Sequence, residues 1–247
     1  MLVLRSLSFV VADSEGISEG FDLDGEASTE GGTTGCGIAD YTTASGNEGI
    51  DNAFSRIVPT LDATEARLST IGALVQDSID SGELLITVEI GSLDAWTGDE
   101  CVAVEVGQAE GDVLLGTDGR LLDGQTFDRE DGAPSVSLVD GHTRDGALLA
   151  SGLSIDLPVQ ILDVALSLPL RDGRVAIWPV DEHYAGLIGG SISAGYILEV
   201  ASGGGVDPAV GELLSTVMSL HADLPGDSCD AMSVTLGFEA VGAYFFE

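Results

Sequence analysis

The sequence predicts an α+β, β-rich fold: an antiparallel sheet or sandwich covered by two or three amphipathic helices. Three observations lead there. Between residues 146 and 180 apolar residues recur at every second position, through Leu153, Ile155, Leu157 and Val159, then Leu162, Val164, Leu166, Leu168 and Leu170. That is the period of strands with one buried face. Between residues 50 and 80 the spacing changes to the helical i, i+3, i+4, i+7 pattern at Phe54, Ile57, Val58 and Leu61. The chain closes on a run, 232–245, with Val234, Leu236, Phe238 and Ala240 on one face, which suits a strand completing a sheet.

In order along the chain, residues 2–11 read as a first strand. Their apolar run is short, carries Arg5 and has no clear small-residue cleavage site, so it is not an export signal as it stands. Residues 12–49 are a long polar, acidic loop, and loops of that length in compact domains are often functional. The helical stretch follows; Pro59 breaks it into two helices or kinks one, Asp62 with Glu65 forms a capping box, and Ser81-Gly82 stops it. Residues 84–90 and 101–106 are strands. Residues 107–133 form a Gly/Asp-rich meander with short strands near 113–115 and 121–122, and 135–139 pairs next. In the alternating stretch Pro158 and Pro169 belong at strand ends, bends or an edge, and Arg171-Asp172-Gly173-Arg174 is the turn of a hairpin. Gly189-Gly190 is a further turn. Ser193 caps a short helix at 194–201, and Asp207-Pro208 starts a firmer one. No repeat or linker divides the chain, so residues 1–247 are expected to form a single β-rich domain.

Charge narrows the function. The 247 residues hold 42 acidic side chains against eight basic ones, all arginine, for a net charge of −34. Such a surface repels nucleic acid and anionic lipid. Its expected partners are cations, a cationic surface, or neutral or apolar small molecules. No apolar run reaches the roughly 18 residues of a membrane helix. The 44% apolar content is too high for a chain disordered throughout.

Cys36, Cys101 and Cys229 all lie in polar, turn-like settings and make no zinc pattern. In an exported chain two would pair and three pairings are open, with a Cys101 to Cys229 bond favoured because both residues stand just before an apolar strand; the alternative is three free thiols in a reducing compartment.

Taken together, GFDLDG (20–25), CGIADY (36–41), NEGIDNAFSRIVPTLDAT (47–64), LVQDSIDSGELLITVEI (74–90) and CDAMSVTLGFEAVGA (229–243) follow an order and spacing that resembles a group of acidic secreted or lipoprotein-type proteins of high-GC Gram-negative bacteria. The resemblance implies export and a place in the envelope or outside the cell. It implies no activity, and the missing export signal is a departure from the group.

Candidate sites are few. Asp22, Asp24 and Glu26 put three carboxylates within five residues beside Gly25, a donor set for a hard cation such as calcium, although not in the EF-hand spacing. Asp118, Asp123, Asp128 and Asp131 form a second acidic loop. His142, His183 and His221 lack a second histidine at ligand spacing, and Asp181-Glu182-His183 reads as surface. There is no GxSxG, and a chain without lysine has no phosphate loop of the GxxxxGK[ST] kind. Gly203-Gly204-Gly205 precedes a helix, but Asp207 at its cap opposes an anion. Two carboxylates in a cleft suffice for a glycosidase, so acidic residues alone leave a hydrolase open; aromatics to line a sugar cleft are scarce at 5%. The reading favoured is an exported or cell-surface protein with a structural or binding role and no catalytic machinery, one form of which holds a small apolar ligand between helices and sheet. The alternatives are a carboxylate-based hydrolase and a calcium-stabilised, adhesin-like module.

Overall fold

The computed structural model describes residues 1–62, 68–130, 132–133, 135–161, 164–196, 199, 216, 220–224 and 229–246. Its elements are β1 (Leu2–Phe9), α1 (Phe54–Asp62), α2 (Leu68–Asp80), β2 (Leu85–Gly91), β3 (Ala103–Glu110), β4 (Gln125–Arg129), β5 (Val136–Ser137), β6 (Val139–Arg144), β7 (Ala147–Ile161), β8 (Val164–Val180), β9 (His183–Ser193) and β10 (Ala231–Phe245). The fold is β-rich, as the alternating sequence requires. The ten strands make one large mixed sheet, antiparallel except where β4 runs parallel to β10.

The sheet returns on itself. β1 pairs with both β2 and β10. β3 pairs with β2 and β5, and the pairing continues along β6: the Leu138 amide donates to the Val104 carbonyl at 2.8 Å and the Val102 amide to the Gly141 carbonyl at 2.9 Å. With β6 on β7, β7 on β8, β8 on β9 and β9 on β10, the described strands form a closed circuit, which covers the strand edges everywhere except in the part of β7 and β8 that runs beyond Ser151 and Arg171. β10 is the hub, bonded to β1, β9 and β4. Its Met232, Val234, Leu236, Phe238 and Ala240 are all buried, as the alternation predicts, and Ser233 and Thr235 between them are buried as well. α2 packs against β1 and β7, and α1 against β10, placing Ile57, Val58, Val75 and Ile79 in the core. Among the described residues no helix is long and apolar enough to cross a membrane.

Several local expectations are corrected. Two helices are present as expected, but Pro59 lies inside α1 and not between them; the expected capping box extends to Glu65, outside the described residues. The Arg171–Arg174 segment is no turn. β8 runs straight through it with a register shift between Arg171 and Arg174, and Asp172 has φ 50°, a bulge that bends a long strand without ending it. The chain instead reverses at Asp181-Glu182 and between Ile161 and Val164, which pair. Gly189-Gly190 lies within β9, where Phe21 from outside the sheet and the adjacent strands need the space. A Cβ on Gly189 would stand 2.4 Å from the Phe21 ring, and one on Gly186 2.2 Å from the Phe238 ring. The short strands near 113–115 and 121–122 reduce to one bridge, Leu115 with Leu121. Residues 194–196 are helical as expected; the helix expected from Asp207-Pro208 begins outside the described residues.

Candidate carboxylate site

The acidic segment between β1 and α1 has a single short 3-10 turn, Gly35–Gly37, and a few isolated bridges, yet it is fastened at many points. The Asp51 amide donates to the Phe21 carbonyl at 2.9 Å, and Tyr41 and Ile50 exchange two backbone hydrogen bonds. Asn52, 1% exposed, donates to the Val10 carbonyl at 3.0 Å and to Ser18 Oγ at 2.9 Å, and its Oδ1 accepts from the Thr235 amide at 3.3 Å. The Ala53 amide donates to Ser233 Oγ at 2.7 Å. Side-chain amides and hydroxyls thus supply the pairing that a ladder supplies elsewhere, and they tie the segment to β10.

That fastening brings distant carboxylates together. Asp22 and Asp24 sit in a tight turn in which the Gly25 amide donates to Asp22 Oδ1 at 2.6 Å and the Glu26 amide to Asp24 Oδ1 at 2.9 Å; Gly25 takes φ 84°, where a side chain would be strained. The bridge between Phe21 and Asp51 carries the Asp51 carboxylate under this turn. There its Oδ2 accepts from the Leu23 amide at 2.6 Å and from the Asp24 amide at 3.3 Å. One carboxylate oxygen from each of Asp22, Asp24 and Asp51 lies within 4.8 Å of the others. Asp51 is 1% exposed, and its Oδ1 has no hydrogen-bond partner. Burial pushes the Asp51 carboxyl up to about 8; the Leu23 amide opposes the rise, and negative charge on Asp223, Asp24 and Asp40 adds to it.

Two more acids flank the cluster. Asp40 is raised by burial, against the Ser28 amide that it accepts at 2.5 Å, with Asp24 and Asp22 adding to the rise and Arg56 countering it. Asp223, 2% exposed, is raised by burial to about 6 in spite of the Ser233 hydroxyl and amide that donate to it. Arg56 donates to the Ala39 carbonyl and lies over the Tyr41 ring, 4.8 Å from its centre.

The disulfide joins Cys36 to Cys229 across 193 positions, and Cys101 is free and exposed. This corrects the favoured pairing of Cys101 with Cys229. Position before an apolar strand is no guide to which thiols meet; the fastening of the acidic segment to the start of β10 decides it.

Of the residues singled out from the sequence, Asp22 and Asp24 converge. Glu26 is exposed; its amide serves Asp24, and its carboxylate is not in the group. Within the second acidic loop, Asp118 accepts from the Arg120 amide at 3.1 Å and Asp128 stands in β4 opposite Glu110; Asp131 is outside the described residues. His142 bonds the Asp140 carbonyl at 2.7 Å, and His183 opens β9 opposite Val180. Burial lowers the His221 pKa. Sequence reasoning missed Asp51 and Asp223. Both follow from long-range contacts, and an Asp just before an apolar helix reads as a cap.

Among the described residues, shallow grooves lie along the strands. One of about 430 Å³ runs past Ser8, Glu19, Trp178, Leu187 and Phe238. A second of about 260 Å³ is lined by Met1, Ile90, Trp96, Tyr184 and Tyr244, with the Trp96 and Tyr184 rings 5.8 Å apart. A third, of about 250 Å³, includes Phe21, His142 and Arg174. No family model, curated protein or solved structure matches this chain.

Proposed function

We propose that the chain is an exported or cell-surface protein with a structural or binding role. The observation that carries this reading is the Cys36 to Cys229 bond, because disulfides persist in oxidising compartments and are rare where glutathione keeps thiols reduced. The bond has a mechanical purpose. It ties the acidic segment to the residues just before β10, so a long stretch without its own ladder is held to the hub of the sheet. By the chain-entropy argument a closed loop of that length is worth about 5 kcal/mol, with 2–5 kcal/mol the usual loss on removal. The charge of −34 keeps such a surface soluble and away from nucleic acid and anionic lipid.

The binding role rests on the groove beside Trp96 and Tyr184. Its apolar and aromatic walls suit a small apolar ligand held by contact area. The hydrolase reading is less favoured. The two carboxyls pushed furthest up, Asp51 and Asp223, are packed among backbone and hydroxyl donors, and among the described residues neither lines the grooves beside Trp178, Trp96 or His142.

Thiol counting tests the proposal. Protein taken from its native compartment, denatured without reductant and alkylated, should show one reactive thiol, Cys101, and one bridged pair. Three reactive thiols would place the chain in a reducing compartment and overturn the reading.

A further inference from the structure

We propose that Asp22, Asp24 and Asp51 bind a divalent cation of the calcium class, with Asp51 as the buried anchor. The inference is independent of the export reading. A cluster of exposed acids would not carry it, since such clusters are common in a chain this acidic. Asp51 carries it. This carboxylate is 1% exposed, points one oxygen at no hydrogen-bond partner, and shares its surroundings with two other carboxylates. An ionised carboxylate in such a place needs a compensating positive charge. Among the described residues no arginine pairs with it: Arg56 is directed at the Ala39 carbonyl and the Tyr41 ring.

The donor chemistry selects the class of ion. All three ligand groups are carboxylates, the hard oxygen donors that calcium takes in shells of six to eight. Calcium–oxygen distances of about 2.3–2.6 Å put oxygens of one shell up to about 5 Å apart, so donor atoms within 4.8 Å of one another fit a single shell. Each carboxylate has one oxygen engaged by backbone amides: Asp22 with Gly25, Asp24 with Glu26, Asp51 with Leu23 and Asp24. Those bonds hold the three groups in place and leave one oxygen of each without a hydrogen bond among the described residues. Gly49 closes the turn from the far side: a Cβ there would meet the Glu26 carbonyl at 3.1 Å and the Asp22 carboxyl carbon at 3.7 Å. Ion and turn would therefore be ordered together. The competing solution for Asp51 is a proton, and it is the outcome in which calcium has no effect.

The experiment is thermal unfolding of the full-length, oxidised chain after EDTA treatment, with calcium chloride, magnesium chloride or sodium chloride added at matched ionic strength. Calcium at about 100 times its Kd should raise Tm by about 5–10 °C, with magnesium and sodium doing markedly less. Asp51→Asn should abolish the calcium-specific shift. Asp22→Asn, at a half-buried position where folding is not at stake, should reduce it and weaken calcium affinity by at least about tenfold in titration calorimetry. Asp145→Asn, which removes one exposed charge elsewhere, should leave it intact. No calcium shift in the parent chain overturns the proposal. So does an equal shift from magnesium or sodium, or a shift that survives both Asp51→Asn and Asp22→Asn.

Discussion

Asp223 shows how much one buried carboxyl can bend a stability curve. Its two oxygens accept from the Ser233 amide and hydroxyl, and the Ser233 hydroxyl oxygen in turn accepts from the Ala53 amide. One acid therefore orients the hydroxyl that joins α1's entry to β10. Those donors favour the charged form, but burial outweighs them and the folded pKa rises to about 6, against about 3.9 in an unfolded chain. The sign follows from linkage. Between those two values the folded state binds more protons than the unfolded state, so this group's contribution falls as pH rises from about 4 through about 6 and is flat above that. A shift of this size is worth on the order of 3 kcal/mol. Asp223→Asn keeps the acceptor for the Ser233 amide and removes the titration. Chemical denaturation of parent and variant between pH 4 and pH 7 should show the variant's advantage growing as pH rises, by about 2–3 kcal/mol across the window. Parallel curves would show that Asp223 does not titrate there.

The elements differ in how far the sequence revealed them. β10 was legible because apolar residues alternate from Met232 to Ala240, and the α1 and α2 faces were legible from Phe54, Ile57, Val58 and the later apolar residues of the 50–80 stretch. β8 was misread because Asp-Gly is the strongest short turn signal. Here the pair makes a bulge, and Gly173 is needed because a Cβ would meet the Gly189 carbonyl at 2.5 Å. Gly189-Gly190 misled for a related reason: a glycine that makes room for Phe21 cannot be told locally from one that turns a chain. At the candidate site, Asp22 and Asp24 were visible as a cluster, whereas Asp51 depends on a bridge to Phe21 thirty positions away and left no local mark. The long hairpin offers a test at this scale. β6 pairs with β7 only as far as Ser151, and β9 pairs with β8 only from Arg171 onward. Ile155, Leu157, Val159 and Ile161 therefore stand opposite Leu170, Leu168, Leu166 and Val164, and among the described residues this part of the hairpin is a ribbon of two strands, with Pro158 where β7 has no second neighbour to bond. Strands held on one side open at lower free energy than strands held on two. Hydrogen exchange should find the amides of 155–161 and 164–170 less protected than those of 232–240 by about two orders of magnitude or more. Equal protection would mean that a further segment pairs with the ribbon.

Across the whole molecule, net charge and closure oppose one another. Folding draws a chain of 42 acidic side chains and eight arginines into a compact body, with most of the described acids on its surface. Among the described residues four ion pairs form, Arg5 with Glu239, Arg129 with Glu89, Arg144 with Asp145 and Arg171 with Asp156. Exposed pairs of this kind contribute only about 0–1 kcal/mol each, far too little to offset repulsion summed over the remaining acids. The buried apolar side chains of ten strands and the disulfide must therefore hold the fold against its own surface. Sodium chloride screens that repulsion, and the Debye length falls from about 30 Å at 0.01 M to about 3 Å at 1 M. The melting temperature should accordingly rise steadily with sodium chloride between 0.01 M and 1 M, opposite to the behaviour of a protein stabilised by surface ion pairs. The Cys36→Ser variant should show the same slope from a lower starting point, because removing a cross-link changes the unfolded chain and leaves the folded surface charge untouched. A melting temperature that falls with salt would show that attractive pairs dominate the surface in spite of its net charge.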